Sequence, residues 1–140
     1  MSRFKTSRIL RFGDCDPAGI AYFPFYFHFL NGVTEEWWTS LGFPWRHLIQ
    51  ERRIGLPTVQ LDTRFMAPGF MGDELRFELE ISALGSRSMT LVYEVFRDST
   101  LLWRATQTVV ATSLDTHQSI AWPDDIRAAL QSFQEAPAHV

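Results

Sequence analysis

Apolar and polar residues alternate at the start of the chain, which is typical of a β-strand with one buried face. The alternation covers residues 4–12, and Gly13 ends it. One side of this predicted strand carries Phe4, Thr6, Arg8, Leu10 and Phe12. The segment 13–19 that follows is dense in Gly, Pro and Asp, which predicts a turn.

A long helix is predicted from about Pro24 to Leu41. Pro24 suits the first helical position, and Gly42 suits the position just past the end. Apolar residues at helical spacing form one stripe, made of Tyr26, Leu30, Val33, Trp37 and Leu41. Other faces also carry apolar groups, at Phe25, Phe27 and Phe29. The first half of this helix is therefore expected to be buried all round, like a lone central helix against a sheet.

Strand patterns dominate the second half of the chain. Alternation and apolar runs predict four strands, at residues 59–65, 75–81, 89–97 and 101–113. A short amphipathic helix is expected to follow from Pro123 to about Phe133, and the last six or so residues are expected to fray.

This order of elements predicts one α+β domain that spans residues 1–140. Short connections make the four later strands antiparallel, and the single apolar helix must cover one face of their sheet. The sheet keeps a free edge strand and a broad uncovered face. Such a surface predicts a dimer that continues the sheet.

Composition narrows the class of protein. The 140 residues are 46% apolar, which is enough for a single core, and the net charge of −3 disfavours nucleic acid or an anionic membrane as a partner. Twelve of the thirteen basic residues are Arg, whose planar guanidinium suits phosphate or carboxylate. The single cysteine cannot form an intrachain disulfide, and no signal peptide or membrane-length apolar run is visible, so a cytoplasmic protein is expected.

The turn before the long helix carries the most specific motif. The run Phe12-Gly13-Asp14-Cys15-Asp16-Pro17-Ala18-Gly19-Ile20 closely resembles the signature of the 4-hydroxybenzoyl-CoA thioesterases. The resemblance continues through the aromatic helix, Pro44-Trp45-Arg46, and Ala67-Pro68 with Gly72-Asp73-Glu74-Leu75, so it covers most of the chain. It implies the hotdog fold, in which an antiparallel sheet of about five strands wraps around a long central helix.

Thioester hydrolysis needs a nucleophile or an activated water, and a donor for the oxyanion. A turn of Pro and Gly can hold a carboxylate at a helix start, where unpaired N–H groups and the positive dipole end face the substrate. The family resemblance implies that Asp16 supplies the carboxylate, as nucleophile or base, and that the backbone N–H of Phe23 polarises the carbonyl. Pro24 has no N–H to give. Gly19 is expected to supply a conformation or close approach that a side chain would forbid.

Two groups of residues are candidates for holding the substrate. The resemblance points to Arg87 and Ser88 for the CoA phosphates, although Arg87 can equally be a solvated hairpin charge. An aromatic acyl pocket can be lined by Tyr22, Phe23, Phe25, Tyr26 and Phe27, although aromatic residues at helical spacing are more often core. Phe23 departs from the Tyr or His often found there in the family. The acyl group therefore stays open between aromatic acyl-CoA, which the resemblance favours, and short aliphatic or carrier-protein thioesters.

Other reactive side chains are interpreted as structural. Asp14 is assigned to the turn, as a cap or orienting group. A Cys nucleophile needs a lowered pKa and usually a His base, so Cys15 is expected to be a small buried residue. His28 lies among Phe residues and is expected to be a core histidine. The histidines show no ligand spacing, so neither a metal nor a cofactor beyond the substrate's own CoA is predicted.

The leading hypothesis is hydrolysis of an acyl-CoA, of the benzoyl or hydroxybenzoyl type, to the free acid and CoA. A hotdog dehydratase or hydratase would instead use a His with a carboxylate partner, which the Asp14–Gly19 turn argues against. A non-catalytic acyl-CoA-binding module would not need Asp16. The resemblance also implies a homodimer or homotetramer, because in that family the neighbouring subunit completes each site.

Overall fold

The computed structural model describes residues 2–136 and shows an antiparallel sheet with one long helix packed on one face. In chain order the elements are β1 Phe4–Ile9, α1 Pro24–Ser40, β2 Ile54–Gly55, β3 Thr58–Phe65, β4 Glu74–Leu84, β5 Ser88–Arg97, β6 Thr100–Val110, β7 Thr112–Ser113 and α2 Asp124–Glu135. The main sheet has the order β1-β4-β5-β6-β3, and β2 pairs with β7 beside it. The predicted α+β arrangement is confirmed.

The core lies between α1 and the sheet, and the sequence pattern places its side chains correctly. The predicted alternation in β4 holds, because its inward side chains are fully or almost fully buried: Leu75, Phe77, Leu79 and Ile81. The predicted stripe of α1 packs onto them through Tyr26, Leu30, Val33 and Trp37. Burial of this apolar surface is the main stabilising contribution to the fold.

The outer face of the sheet carries a network of ion pairs. Arg3 contacts Glu78 at 3.0 Å, Glu94 at 3.0 Å and Glu80 at 3.1 Å, and Arg76 contacts Glu78 at 2.8 Å. Glu78 and Glu94 are buried, and a buried carboxylate is stable only when it is paired and hydrogen-bonded. Burial tends to raise the pKa of Glu78, but hydrogen bonds from Arg76 and Arg3 outweigh it and lower that pKa.

The first strand is shorter than its alternation predicts. β1 ends at Ile9, and residues Phe12–Asp14 form a 3₁₀ turn that leaves Phe12 exposed. The turn forms because the Asp14 carboxylate accepts a hydrogen bond from the Arg11 N–H at 2.9 Å. A local side-chain bond thus overrides the strand pattern.

The prediction that the first half of α1 is buried all round is wrong for the single chain. Tyr26 and Leu30 are buried against the sheet, whereas Phe23 and His28 are exposed. The prediction of a core histidine at residue 28 is therefore also wrong. The sheet covers only one side of the helix, so His28 stays exposed, while Phe27 and Phe29 are partly buried against Trp103 and Phe77.

The later elements follow their predicted positions with three differences. A π-helical turn, His47–Glu51, lies in the connection after α1. The predicted strand 101–113 is interrupted at Ala111, which lies between β6 and β7 and donates its N–H to the Arg87 carbonyl at 2.8 Å. The C-terminal helix extends to Glu135, and the predicted fraying at 137–140 lies outside the described residues.

β3 forms one edge of the sheet, and all eight of its residues are exposed. They include the large apolar side chains of Val59, Leu61 and Phe65. Within residues 2–136, no helix combines the length and the apolar character needed to cross a bilayer.

Candidate active site

The loop between β1 and α1 is tied to the hairpin loop between β3 and β4. The N–H of Ala21 donates to the Gly69 carbonyl at 2.8 Å, and the N–H of Met71 donates to the Gly19 carbonyl at 3.2 Å. Arg97 fixes the hairpin in turn, through Asp73 at 2.9 Å and the Pro68 carbonyl at 3.1 Å. Two loops that are distant in sequence therefore form one rigid unit beside the start of α1.

Asp16 is held within this unit by its own turn. One oxygen of its carboxylate, Oδ1, accepts the Ala18 N–H at 2.8 Å, and its backbone carbonyl accepts the Gly19 N–H at 3.0 Å. Gly19 has φ +79°, a left-handed conformation that side chains disfavour, so its predicted conformational role is confirmed. The second oxygen, Oδ2, accepts no hydrogen bond from a described residue.

The start of α1 provides a backbone N–H group that has no acceptor among the described residues. Pro24 has no N–H, and the N–H groups of Phe25 and Tyr26 bond the carbonyls of Tyr22 at 2.8 Å and Phe23 at 3.1 Å. No described residue accepts a hydrogen bond from the N–H of Phe23, at the cap position. It therefore remains available at the positive end of the helix dipole.

Asp16 and Phe23 line the same pocket, which has a volume of about 380 Å³. Its other walls come from Ile20, Ala21, Tyr26, Phe65, Met66, Ala67, Pro68 and Gly69. The Phe23 and Phe65 rings meet edge to face at 6.0 Å, and the Tyr26 ring stacks on Trp103 at 5.1 Å. The arrangement combines an open carboxylate and a free N–H with aromatic walls suited to a flat group.

The remaining predicted site residues do not all reach this pocket. Tyr22 is exposed and does not line it, while Phe25 lines a separate groove beside β1. Arg87 and Ser88 lie in and after the β4–β5 hairpin, and Arg87 donates to the Ser119 carbonyl at 2.8 Å. Because the loop with Asp16 packs at the opposite end of β4, the 11 residues of this strand separate the two places by roughly 34 Å.

Asp14 has the structural role expected of it, whereas Cys15 is half-buried and not fully buried as expected. Asp14 caps the 3₁₀ turn through its carboxylate, as predicted for an orienting group. The half-buried thiol of Cys15 has a raised pKa, because burial and the nearby carboxylates of Asp14 and Asp16 all disfavour a thiolate. Among residues 2–136, no three His, Cys, Asp or Glu side chains are grouped to hold a metal ion.

Sequence reasoning missed the contribution of the β3–β4 connection. Phe65 ends an edge strand, Met66 follows it, and Gly69 has no side chain, so none of them carries a chemical signal. Gly69 matters because a β-carbon there would lie 2.9 Å from the Tyr26 hydroxyl and 3.3 Å from Leu10. In the sequence, Ala67 and Pro68 carry only a resemblance to a hairpin of the family.

The fold is an α+β domain with a pocket at the start of its central helix. A carboxylate and a backbone N–H without an acceptor among the described residues belong to the residues that line this pocket. Both kinds of group are ones that thioester hydrolysis uses. The family model of the thioesterase-like superfamily matches residues 10–130. The chain belongs to this superfamily, so the predicted family and the predicted class of enzyme, a thioester hydrolase, are confirmed.

Individual relatives agree with this membership. The chain is 34% identical to 4-hydroxybenzoyl-CoA thioesterase of Pseudomonas sp. (strain CBS-3). The match covers 63% of this chain and 64% of that protein, which is just under two thirds of each. It is 26% identical to 1,4-dihydroxy-2-naphthoyl-CoA hydrolase of Synechococcus elongatus over 94% of this chain and 97% of that one. The solved structure of the Pseudomonas thioesterase superposes with a TM-score of 0.84 at 28% identity, covering 92% of this chain and 99% of that one. The expected hotdog fold is confirmed.

Proposed function

We propose that this protein hydrolyses acyl-CoA thioesters to a free acid and CoA, with Asp16 as the catalytic carboxylate. One observation carries the proposal: a single pocket is lined by Asp16, whose Oδ2 accepts no hydrogen bond from a described residue, and by Phe23, whose N–H donates to none. A thioester carbonyl in this pocket would meet a nucleophile or base on one side and an oxyanion donor on the other.

The chemistry can follow either of two balanced routes. In the first, the Asp16 carboxylate attacks the carbonyl carbon, the C–S bond breaks, CoA leaves as the thiolate, and water hydrolyses the resulting anhydride. In the second, Asp16 takes a proton from water, and the hydroxide adds to the carbonyl before CoA leaves. In both routes the Phe23 N–H and the helix dipole stabilise the negative oxygen.

The acyl group is proposed to be aromatic. The pocket walls of Phe23, Tyr26 and Phe65 offer ring faces and edges to a flat group. Two relatives act, by name, on 4-hydroxybenzoyl-CoA and 1,4-dihydroxy-2-naphthoyl-CoA, which are both aromatic thioesters. No metal or redox cofactor is needed for either route, and the single cysteine suits a reducing cytoplasm.

The assembly is proposed to be a homodimer, alone or paired into a tetramer. A CoA whose thioester lies at Asp16 would have to follow the whole of β4 to reach Arg87 of the same chain. Antiparallel pairing of β3 with β3 of a second copy reverses the partner's sheet. That reversal turns the end of the partner that carries its Arg87 and Ser88 toward Asp16, where they can contact the CoA phosphates.

Free-thiol release from a panel of aromatic and aliphatic acyl-CoA esters tests the function. We expect turnover of an aromatic ester by the wild type, and a loss of about 10²–10⁴-fold in kcat for Asp16→Asn. Asp14→Asn is the matched control, because its side-chain oxygen can still accept the Arg11 N–H and it does not line the pocket.

Two results would contradict the proposal. No thiol release from any ester by the folded wild type would favour a binding module or a carrier-protein substrate. Equal loss in Asp14→Asn and Asp16→Asn would show that the turn, and not the Asp16 carboxylate, supports activity. Rapid quenching with mass spectrometry then separates the routes, because only the first attaches the acyl group to the peptide with Asp16.

A further inference from the structure

A second pocket lies between β1 and α1, outside the candidate active site. We call it the β1–α1 groove; Arg8 and Arg11 line it on one side, and Phe25, His28 and Gly32 line it on the other. Its volume of about 480 Å³ is enough for a compound of one or two rings. The groove shares no lining residue with the candidate active site, so a compound bound in it would leave that pocket open.

The helix wall of the groove is aromatic. Phe25 lies three positions before His28 and four before Phe29, so the three side chains share one face of α1. The rings of Phe25 and His28 meet edge to face at 6.1 Å, and His28 is exposed. Ring faces and edges of this kind pack favourably against a flat aromatic group.

Gly32 leaves space in this wall. It lies in the interior of α1, and a β-carbon built on it would meet no heavy atom within 4 Å. Glycine inside a helix is less stable than alanine, and no neighbouring side chain requires it at this position. The glycine therefore keeps open a part of the groove that a side chain would fill.

The strand side of the groove provides a cation without a partner. Arg8 pairs with Glu36 at 2.7 Å, and the carboxylate of Asp14 accepts the backbone N–H of Arg11 at 2.9 Å. The exposed guanidinium of Arg11 forms no ion pair and donates no hydrogen bond within residues 2–136. A guanidinium binds a carboxylate through two parallel N–H bonds, so Arg11 is available for an anionic group.

We infer that the β1–α1 groove is a second binding site and that it takes an aromatic carboxylate. The flat body of this compound packs against Phe25 and His28 over Gly32, and its carboxylate pairs with Arg11. The inference goes beyond the proposed function and does not rest on it.

NMR titration with 2-naphthoate reads the two pockets separately. The imidazole signals of His28 report on the groove, and the methyl signal of Met66 reports on the candidate active site, which Met66 lines. We expect 2-naphthoate to shift the His28 signals of the wild type along a saturable curve. A shift confined to Met66, or no saturation at His28, overturns the inference.

Filling the groove tests the role of Gly32. Gly32→Leu is expected to weaken binding at His28 at least about tenfold, because the leucine side chain takes the space of the ring, and to leave the response of Met66 unchanged. Thr39→Leu is the matched control, since Thr39 is exposed on α1 and does not line the groove. Wild-type affinity in Gly32→Leu, or an equal loss in Thr39→Leu, overturns the inference.

Thermal unfolding checks that packing does not require the glycine. Gly32→Ala is expected to raise Tm by about 2–4 °C, because alanine favours the helix and meets no neighbour. A lower Tm would show that the fold, and not the groove, accounts for Gly32, and it would overturn the inference.

A charge test addresses Arg11. Arg11→Gln is expected to weaken 2-naphthoate roughly tenfold, whereas the neutral 2-naphthylmethanol should bind the wild type and this variant equally, because only the anion uses the guanidinium. Arg46→Gln is the control, since Arg46 is exposed and lies outside the groove. Equal affinity of 2-naphthoate for the wild type and Arg11→Gln overturns the inference.

Catalysis is scored separately. A wild type that binds 2-naphthoate at His28 but releases no thiol from any acyl-CoA would remove the proposed function and leave the groove site standing. An active wild type that shows no binding at His28 would remove only the inference.

Discussion

The hydroxyl of Tyr26 lies directly against Gly69: a β-carbon on Gly69 would be 2.9 Å from it. The hydroxyl is buried and makes no well-aligned hydrogen bond among residues 2–136; burial raises the pKa of Tyr26, and the neighbouring backbone of Gly69 offsets only part of this. This contact joins the first turn of α1 to the β3–β4 connection. Tyr26 and Gly69, which both line the candidate active site, therefore pack directly against each other.

Replacement of Gly69 by alanine is expected to destabilise the protein by about 1–3 kcal/mol, because the added methyl group overlaps the Tyr26 hydroxyl. Tyr26→Phe removes the hydroxyl and costs less than about 1 kcal/mol, since the group has no partner to lose. The double variant should therefore be more stable than Gly69→Ala alone. Urea unfolding of the wild type, the two single variants and the double variant measures how far the two substitutions are coupled. If their effects on the free energy of unfolding simply add, the contact is not the cause.

Gly19→Ala is expected to cost about 1–2 kcal/mol, because the left-handed backbone at φ +79° disfavours a side chain. The turn around Asp16 should loosen, since the Gly19 N–H bonds the Asp16 carbonyl, so kcat should fall as well. Gly13→Ala is the control, since a β-carbon there meets nothing within 4 Å and its φ is not left-handed. Thermal unfolding and thiol release that rank the two variants equally would argue against this explanation.

Glu78 is expected to make stability fall in acid. Its lowered pKa means that the carboxylate stabilises the fold above its unfolded pKa, near 4.5, and that this contribution is lost as the pH falls through the lower folded value. Glu78→Gln should therefore cost about 1–2 kcal/mol at neutral pH and progressively less in acid. Urea titrations across this range test it, and a difference independent of pH would contradict the role of the charge.

Cys15→Ala is expected to keep thioester hydrolysis within about twofold of wild type, since a thiol whose pKa is raised is a poor nucleophile at neutral pH. The same raised pKa predicts slow alkylation of the wild-type thiol by iodoacetamide. A loss of turnover comparable to that of Asp16→Asn would move the nucleophile to Cys15.

Local patterns were sufficient for most elements of the fold. The alternation in β4 and the stripe from Tyr26 to Trp37 depend on which side chains face the core, and both hold. The sequence also placed the turn with Asp16 shortly before a helix that begins at Pro24, because these residues are close in sequence. Two predictions are wrong. β1 ends early, at Ile9, because a hydrogen bond between Asp14 and Arg11 forms a turn, and His28 is exposed because the sheet covers only one side of α1.

By itself, the sequence determined the α+β class, the central helix and the position of the carboxylate turn, because period and turn chemistry act over a few residues. Only the tertiary structure brought Phe65, Met66 and Gly69 to Asp16, and only it separated Arg87 from that pocket by the length of β4. The physical reason is that these contacts join Asp16 to residues that lie 49 or more positions away in the sequence. Sheet pairing and packing against Tyr26 and Trp103 set their distances, which no local pattern records.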